Sequence, residues 1–411
     1  MTLTPLPSEP QLAPSSEGRS SPSETASPEG IGEVRQEAGF LLTRQWFDSY
    51  PRRQLQAESS GRAASNRNAH RSPRALQLHF WFTTAKGPTK VCIEGQQAVC
   101  FVRADQQEQA YKLMQRELGF NVSSKHFEPL WQIKPLALKD FAQQPLVGIY
   151  FREQRALYRA RQGARRVGLD LLEADVRPTD RYLMERFITG PVSIEGQWHE
   201  RDGFWEVTEA RLKPATYKPE YRVMSLDIET SMEGEQLFCI GAQLASTDGG
   251  AIEQERVFML RSEAPSAEQA PSYLVYCDTE TELLECFLEW FHAVDADIII
   301  GWNVINFDLR FLQRKADKLG VPLAMGRDRR RIDWRQSMDD DDHYTLTVPG
   351  RLVLDGIDTL KSATYNFESF SLDYVGHALL KRGKLNFDVP GFEVEHRGAE
   401  ISAQFQTDQL A

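Results

Sequence analysis

The 411-residue chain is poor in paired cysteine, in long apolar runs and in positive charge, and each shortage removes a class of protein. Its five cysteines (Cys92, Cys100, Cys239, Cys277 and Cys286) include no Cys-x-x-Cys pair, and four of them lie in apolar strand-like or helix-like runs. That spacing suits neither a zinc site nor a disulfide scaffold and points to a reducing compartment. No apolar run has the length to span a bilayer, short stretches such as "ADIIIG" being the longest. The N-terminus has no apolar signal core. A soluble cytoplasmic protein is the expectation, with no membrane partner. A formal net charge of −11 excludes a protein that holds nucleic acid by bulk positive charge. It leaves room for an enzyme that meets phosphates through bound cations and a local basic stripe.

What is present suggests two folded units, since the chain exceeds one typical domain. Residues 1–36 are rich in Ser, Pro, Glu and Gly and nearly free of apolar side chains, so a disordered tail is expected. Residues 52–75 read as a flexible insertion. Between them "AGFLLTRQWF" opens the ordered chain, and "LQLHFWFTTAKGPTKVCIEG" alternates like a hairpin that breaks at Gly87-Pro88. "QQEQAYKLMQREL" has helical spacing, "LVGIYFR" is strand-like, and an Arg-rich helix follows with Arg155, Arg159, Arg161, Arg165 and Arg166. Those arginines suit either a nucleic-acid backbone or a solvated helix face. A Pro-initiated helix near 178 leads into a hairpin ending near Lys213, and "KPATYKPEY" marks a boundary.

After residue 221 the expected order is three antiparallel strands, helix, strand, helix, strand, helix. By analogy of order, this is an α/β ribonuclease H-like exonuclease domain: a mixed sheet of three antiparallel strands, then parallel strands with helices. A smaller α+β N-terminal domain precedes it, giving spans of 37–215 and 216–411. In "SLDIET", Asp227 and Glu229 share one face of the first strand, and "GWNVINFD" carries Asp308 to the start of a later helix. Each piece alone has a bland reading: an exposed edge strand, a turn at Asn303, a helix cap at Asp308, a core Phe307. Together the three acids suit hard divalent cations such as Mg²⁺ or Mn²⁺, two of which can drive phosphodiester hydrolysis. The arginines of "RDRRRIDWR", Arg329 and Arg330 among them, suit a phosphate contact or a solvated loop equally. The acidic run 339–342 reads as a solvated hairpin tip, and Asp355 is not expected to be a ligand.

"SLDIET", "DIIIGWNVINFD", "GRLVLDGIDTLKSA" and "SFSLDYVGHALLKRGK" resemble the proofreading exonuclease domain of family B DNA polymerases. Upstream, "AGFLLTRQW", "LALKDF" and "EADVRPTDRYLMERFITGPV" resemble the N-terminal domain of the bacterial polymerase II type. The resemblance implies a bacterial cytoplasmic enzyme that removes mispaired 3′ ends of DNA with two divalent cations. It implies that Asp227 bridges the cations, Glu229 holds the nucleophile-side ion, and Asp308 serves the leaving-group side. It further implies that Thr230, Asn303 and Phe307 meet the strand end, with single-stranded and primer-template DNA as partners.

The family's third exonuclease motif, Tyr-x-x-x-Asp, has no counterpart: the last tyrosine, Tyr374, is followed four residues later by Ala378. The polymerase palm aspartates are absent as well, so a truncated exonuclease domain is expected, weak or inactive by itself. Two rivals stand beside this reading: a stand-alone ribonuclease H-like exonuclease, and an inactive DNA-binding remnant.

Overall fold

The computed structural model describes residues 33–50, 73–120, 129–231, 233–248, 250–261, 271–337 and 343–383. The expected tail up to residue 32, nearly all of the 52–75 insertion and the acidic run lie outside them.

Long, alternating strands with aromatic and β-branched residues build the N-terminal half. β1 (Glu33–Ser49), β2 (Ala75–Thr84), β3 (Gly87–Ile93), β7 (Pro191–Arg201) and β8 (Phe204–Pro214) close a barrel in the order β1-β2-β3-β8-β7. The β2–β3 hairpin turns at Ala85 and Lys86, two residues before the expected break, and Pro88 sits in the ladder opposite Thr83. β1 begins four residues inside the expected tail, because Glu33 to Gln36 pair with β7 from Trp198 to Glu195. The segment "EVRQ" lacks an apolar pattern; a partner strand about 160 positions away orders it.

Attached to the barrel is a smaller α+β layer. β4 (Ala98–Arg103), β5 (Trp131–Lys139) and β6 (Pro145–Phe151) form a sheet in the order β4-β6-β5. Helices α1 (Gln107–Leu118) and α2 (Gln154–Val167) pack on each other, and α3 (Pro178–Met184) starts with proline at its first position. Barrel and small sheet share one core, including Phe80, Phe82, Trp131, Ile149 and Phe151.

The C-terminal half is a six-stranded mixed sheet with its own core from Met224 to Val348. Its strands are β9 (Arg222–Thr230), β10 (Leu237–Ser246), β11 (Ile252–Leu260), β12 (Leu274–Cys277), β13 (Ile298–Gly301) and β16 (Leu352–Asp355), in the order β12-β11-β10-β9-β13-β16. β9, β10 and β11 are antiparallel, while β13 and β16 run parallel to β9. The four-residue β12 escapes a periodicity reading because it is too short; its parallel pairing to β11 defines it. Helix α4 (Glu280–Val294) is capped by Thr279, whose hydroxyl accepts from Glu282 N, and α5 (Arg310–Leu319) ends at left-handed Gly320. β14 (Asp333–Gln336) and β15 (Tyr344–Thr347) make a separate ribbon, and α6 (Gly356–Ser362) and α7 (Leu372–Leu380) follow β16.

Trp81 and Lys90, on the barrel, meet the segment between α5 and β16. Lys90 Nζ lies 2.7 Å from Asp328 and over the Trp81 ring, and Gly350 N donates to Thr43 Oγ1. A Cβ at Gly350 would stand 3.0 Å from that ring, so the contact needs glycine.

Candidate active site

On β9 the apolar residues Met224, Leu226 and Ile228 are buried, while Ser225, Asp227 and Glu229 alternate with them on the opposite face. The strand period thus puts the two acids side by side. The β13 ladder with β9 ends at Ile300 opposite Ser225. Farther along, the Ile228 amide is taken by a side chain: it donates to Asp308 Oδ1 at 3.0 Å.

Gly301 is what permits this. A Cβ there would lie 2.7 Å from Leu226 O and 2.8 Å from Val304 Cβ, so only glycine lets the chain leave β13 against β9. Asn303 then adopts a left-handed backbone (φ 59°), which asparagine tolerates, and a single π-helical turn follows over Ile305–Leu309. The turn carries Asp308 inward and Phe307 outward: Asp308 is 1% exposed and Phe307 46%.

Burial, and next the charge of Asp227, push the Asp308 carboxyl from the ordinary 3.8 up to about 8, with Asp355 adding to the push. Asp355, at the end of β16, lies opposite Gly301 and is buried. Its two oxygens accept from Ile305 N (3.0 Å) and Ile357 N (2.9 Å), so it caps α6 and pins the turn bearing Asp308. Asn306 adds a second tie, since its Oδ1 accepts from Tyr344 N at 2.7 Å and its amide nitrogen lies 3.4 Å from His343 Nδ1. Asn306 and His343 are participants that the sequence reading passed over, and Asp355, considered there only as a ligand, has this positioning role instead. The capping pattern Asp-Gly-Ile-Asp was the available signal for Asp355; the roles of the other two depend on the β15 contact alone.

Of the remaining sequence candidates, Thr230 ends β9 with its hydroxyl donating to Ser231 O at 3.3 Å. Arg329 and Arg330 are not brought to the carboxylates. Their neighbour Arg327 hydrogen-bonds Asp295 and Asp297, just before β13, and its amide donates to Pro349 O, just before β16. The acids lie past the other ends of the same strands. Arg330 is held by Asp328 (2.8 Å) and stacks over Phe47 of the barrel, and exposed Arg329 faces His292 and Ala324 near the end of α4.

Carboxylate oxygens at Asp227, Glu229 and Asp308 are the donors that hard divalent cations prefer. An acid buried against another acid is the electrostatic situation such a cation relieves. In kind the residues fit the group. In number they form a close pair with flanking acids: among the described residues no group of three His, Cys, Asp or Glu is drawn together to hold a metal ion.

A mixed α/β sheet presenting acids at the end of its first strand defines a class of domain, and comparison with known proteins gives the family. The description "DNA polymerase family B, exonuclease domain" matches residues 169–375, and "DNA polymerase II, insertion domain" matches residues 98–169. The chain belongs to the family B DNA polymerases, of which it corresponds to the N-terminal and exonuclease region. It is 38% identical to DNA polymerase II of Escherichia coli (strain K12) over 376 residues, covering 91% of this chain and 42% of that protein. A DNA polymerase of Thermococcus litoralis is 25% identical over 217 residues, 53% of this chain and 11% of its own length. The family B DNA polymerase from Pyrobaculum calidifontis shares the fold with a TM-score of 0.59 at 16% identity, covering 90% of this chain and 43% of that one. The chain thus spans less than half of each of these relatives. Among the described residues no helix is long and apolar enough to cross a membrane.

Proposed function

We propose that the chain is the N-terminal domain (37–215) and ribonuclease H-like exonuclease domain (216–411) of a DNA-directed DNA polymerase, and that its carboxylates serve 3′→5′ hydrolysis of DNA ends. The observation that carries this reading is Asp308, buried beside Asp227 with its carboxyl pushed up to about 8. Without an ion such an arrangement costs stability, and binding is what offsets that cost.

Asp227, Glu229 and Asp308 would hold Mg²⁺ or Mn²⁺. When bound, these ions supply an activated water and charge stabilisation at the leaving oxygen. Asp308 would hold the ion as a carboxylate, and Ile228 N, which donates to its Oδ1, would keep that oxygen in place. Asp355 holds the π-helical turn, so Asp308 stays aligned with β9 as charge changes around it. Exposed Phe307 packs on the terminal base, and Thr230 and Asn303 orient the sugar-phosphate end.

The test is Mn²⁺ binding by calorimetry together with degradation of a 5′-labelled single strand, comparing the parent with Asp227→Ala. Loss of Mn²⁺ binding in the variant is expected, and with it of whatever degradation the parent shows; equal Mn²⁺ binding by both proteins overturns the assignment. The pairwise arrangement of acids favours one second reading, in which this span binds DNA without cleaving it. Mn²⁺ and oligonucleotide binding with no degradation, even by a chain extended through a Tyr-x-x-x-Asp motif, selects that reading.

A further inference from the structure

Helix α2 (Gln154–Val167) contains five arginines and no acid. It lies in a region, residues 98–169, with twelve Lys and Arg against six Asp and Glu; this net +6 leaves the remainder of the chain at −17. On a helix of 3.6 residues per turn, Ala156, Leu157, Ala160, Gly163 and Ala164 form the buried side. The opposite arc reads, in angular order, half-buried Arg161, Gln154 (buried at the helix start), Arg165, Tyr158, Gln162, Arg155, Arg166, Arg159. Tyr158 (43% exposed) therefore stands within the basic arc, with arginines on both flanks.

Only part of this charge has a structural use. Glu117, packed so closely over Gly163 that a Cβ there would stand 2.6 Å from it, pairs with Arg166 (2.7 Å) and Arg116 (3.0 Å). Arg159 donates to Glu117 O. The Asp48 carboxylate caps the helix start through Gln154 N and Arg155 N. Among the described residues the guanidinium groups of Arg155, Arg161 and Arg165 pair with no acid. Arg155 sits at the helix N-terminus, where the macrodipole disfavours a cation, so helix stability does not explain it.

We infer that the exposed arc of α2 is a binding surface for single-stranded DNA, with the arginines on phosphates and Tyr158 stacked on an unpaired base. It is independent of the carboxylate cluster. Arg155 and Arg166 are eleven residues apart, about 16 Å along the helix, the reach of several phosphates. Three or four phosphate contacts predict a log–log salt slope of roughly −2 to −3, a loss of about 20- to 50-fold between 50 and 200 mM salt.

The experiment is fluorescence anisotropy of a labelled oligothymidylate with the full chain in EDTA, which silences any cation-dependent binding or cleavage. Arg155→Gln, Arg161→Gln and Arg165→Gln combined should weaken binding at least tenfold and flatten the slope by about 2. Tyr158→Ala should weaken binding of the single strand severalfold and leave duplex binding unchanged. The same losses should appear in an Asp227→Ala background, which separates this surface from the proposed active site. The inference is overturned by undiminished binding in a triple variant whose melting temperature matches the parent. Displacement of the oligonucleotide by polyglutamate at equal charge concentration also overturns it, assigning the arc to an acidic protein.

Discussion

Asp308→Asn should make the cation-free protein more stable at neutral pH, although it removes a proposed catalytic carboxylate. In the folded chain the carboxyl is raised from 3.8 to about 8. A raised acid is neutral in both states at low pH, so its side chain imposes no penalty below about 4. As pH rises, the unfolded chain releases the proton first, and stability is lost progressively until the folded carboxyl ionises near 8. At pH 7 about three pKa units separate the two states, roughly 4 kcal/mol at 1.36 kcal/mol per unit. Asparagine is neutral and keeps an acceptor for Ile228 N. Its amide hydrogens need partners, which reduces the expected gain to about 2–3 kcal/mol. Thermal unfolding followed by circular dichroism in EDTA should show the variant slightly lower at pH 4, where its unpartnered amide is not offset, and higher by about 5–10 °C at pH 7–8. Added Mn²⁺ should raise the parent by mass action and leave the variant nearly unchanged. A variant less stable than the parent at pH 8, or a parent whose stability is flat from pH 5 to 8, refutes the electrostatic reasoning.

Three other substitutions probe the frame around the acids. Gly301→Ala forces a methyl against Leu226 O and Val304, and should cost about 1–3 kcal/mol in urea titrations. It should also expose the Ile228 amide to hydrogen exchange. Asp355→Ala strips two amides, Ile305 N and Ile357 N, of their acceptor; a loss of about 1–3 kcal/mol and faster exchange across 303–309 are expected, and slow exchange there contradicts its positioning role. Arg327→Met leaves the buried Asp297 without its guanidinium partner and Asp295 with Arg351 alone, and should cost about 3–5 kcal/mol by denaturant unfolding. Arg327 and Arg351 hold Asp295 below the ordinary carboxylate range, although burial works the other way. The stabilisation that Asp295 contributes to the parent is therefore present above about 4 and lost as pH falls through the depressed value, more steeply than in the variant.

Much of the candidate site was legible because it depends on local periodicity. Alternation in "SLDIET" requires Asp227 and Glu229 to share a face once Met224, Leu226 and Ile228 go inward, and the strand obeys. A turn at Asn303 was one expected reading, and left-handed Asn303 makes it, although the need for Gly301 was not foreseen. Legibility failed where partners are distant in sequence. Arg329 and Arg330 belong to a run that looks like one basic loop, yet Arg327 turns inward to two aspartates just before β13, at the opposite end of that strand from Asp308. Glu33 to Gln36 look like tail until β7 supplies a ladder.

The sequence by itself determined which residues could be acids on a strand face, which turns demanded glycine or asparagine, and which stretches would be amphipathic. These follow from backbone sterics and from side-chain periods of 2 and 3.6, and need no distant partner. Only the tertiary structure decided that Asp308 is sealed from solvent beside Asp227, that Asp355 holds its turn, and that the arginines of α2 ring an exposed tyrosine. Those are matters of burial and of which charges end up adjacent, and solvation changes only when separate segments close over one another.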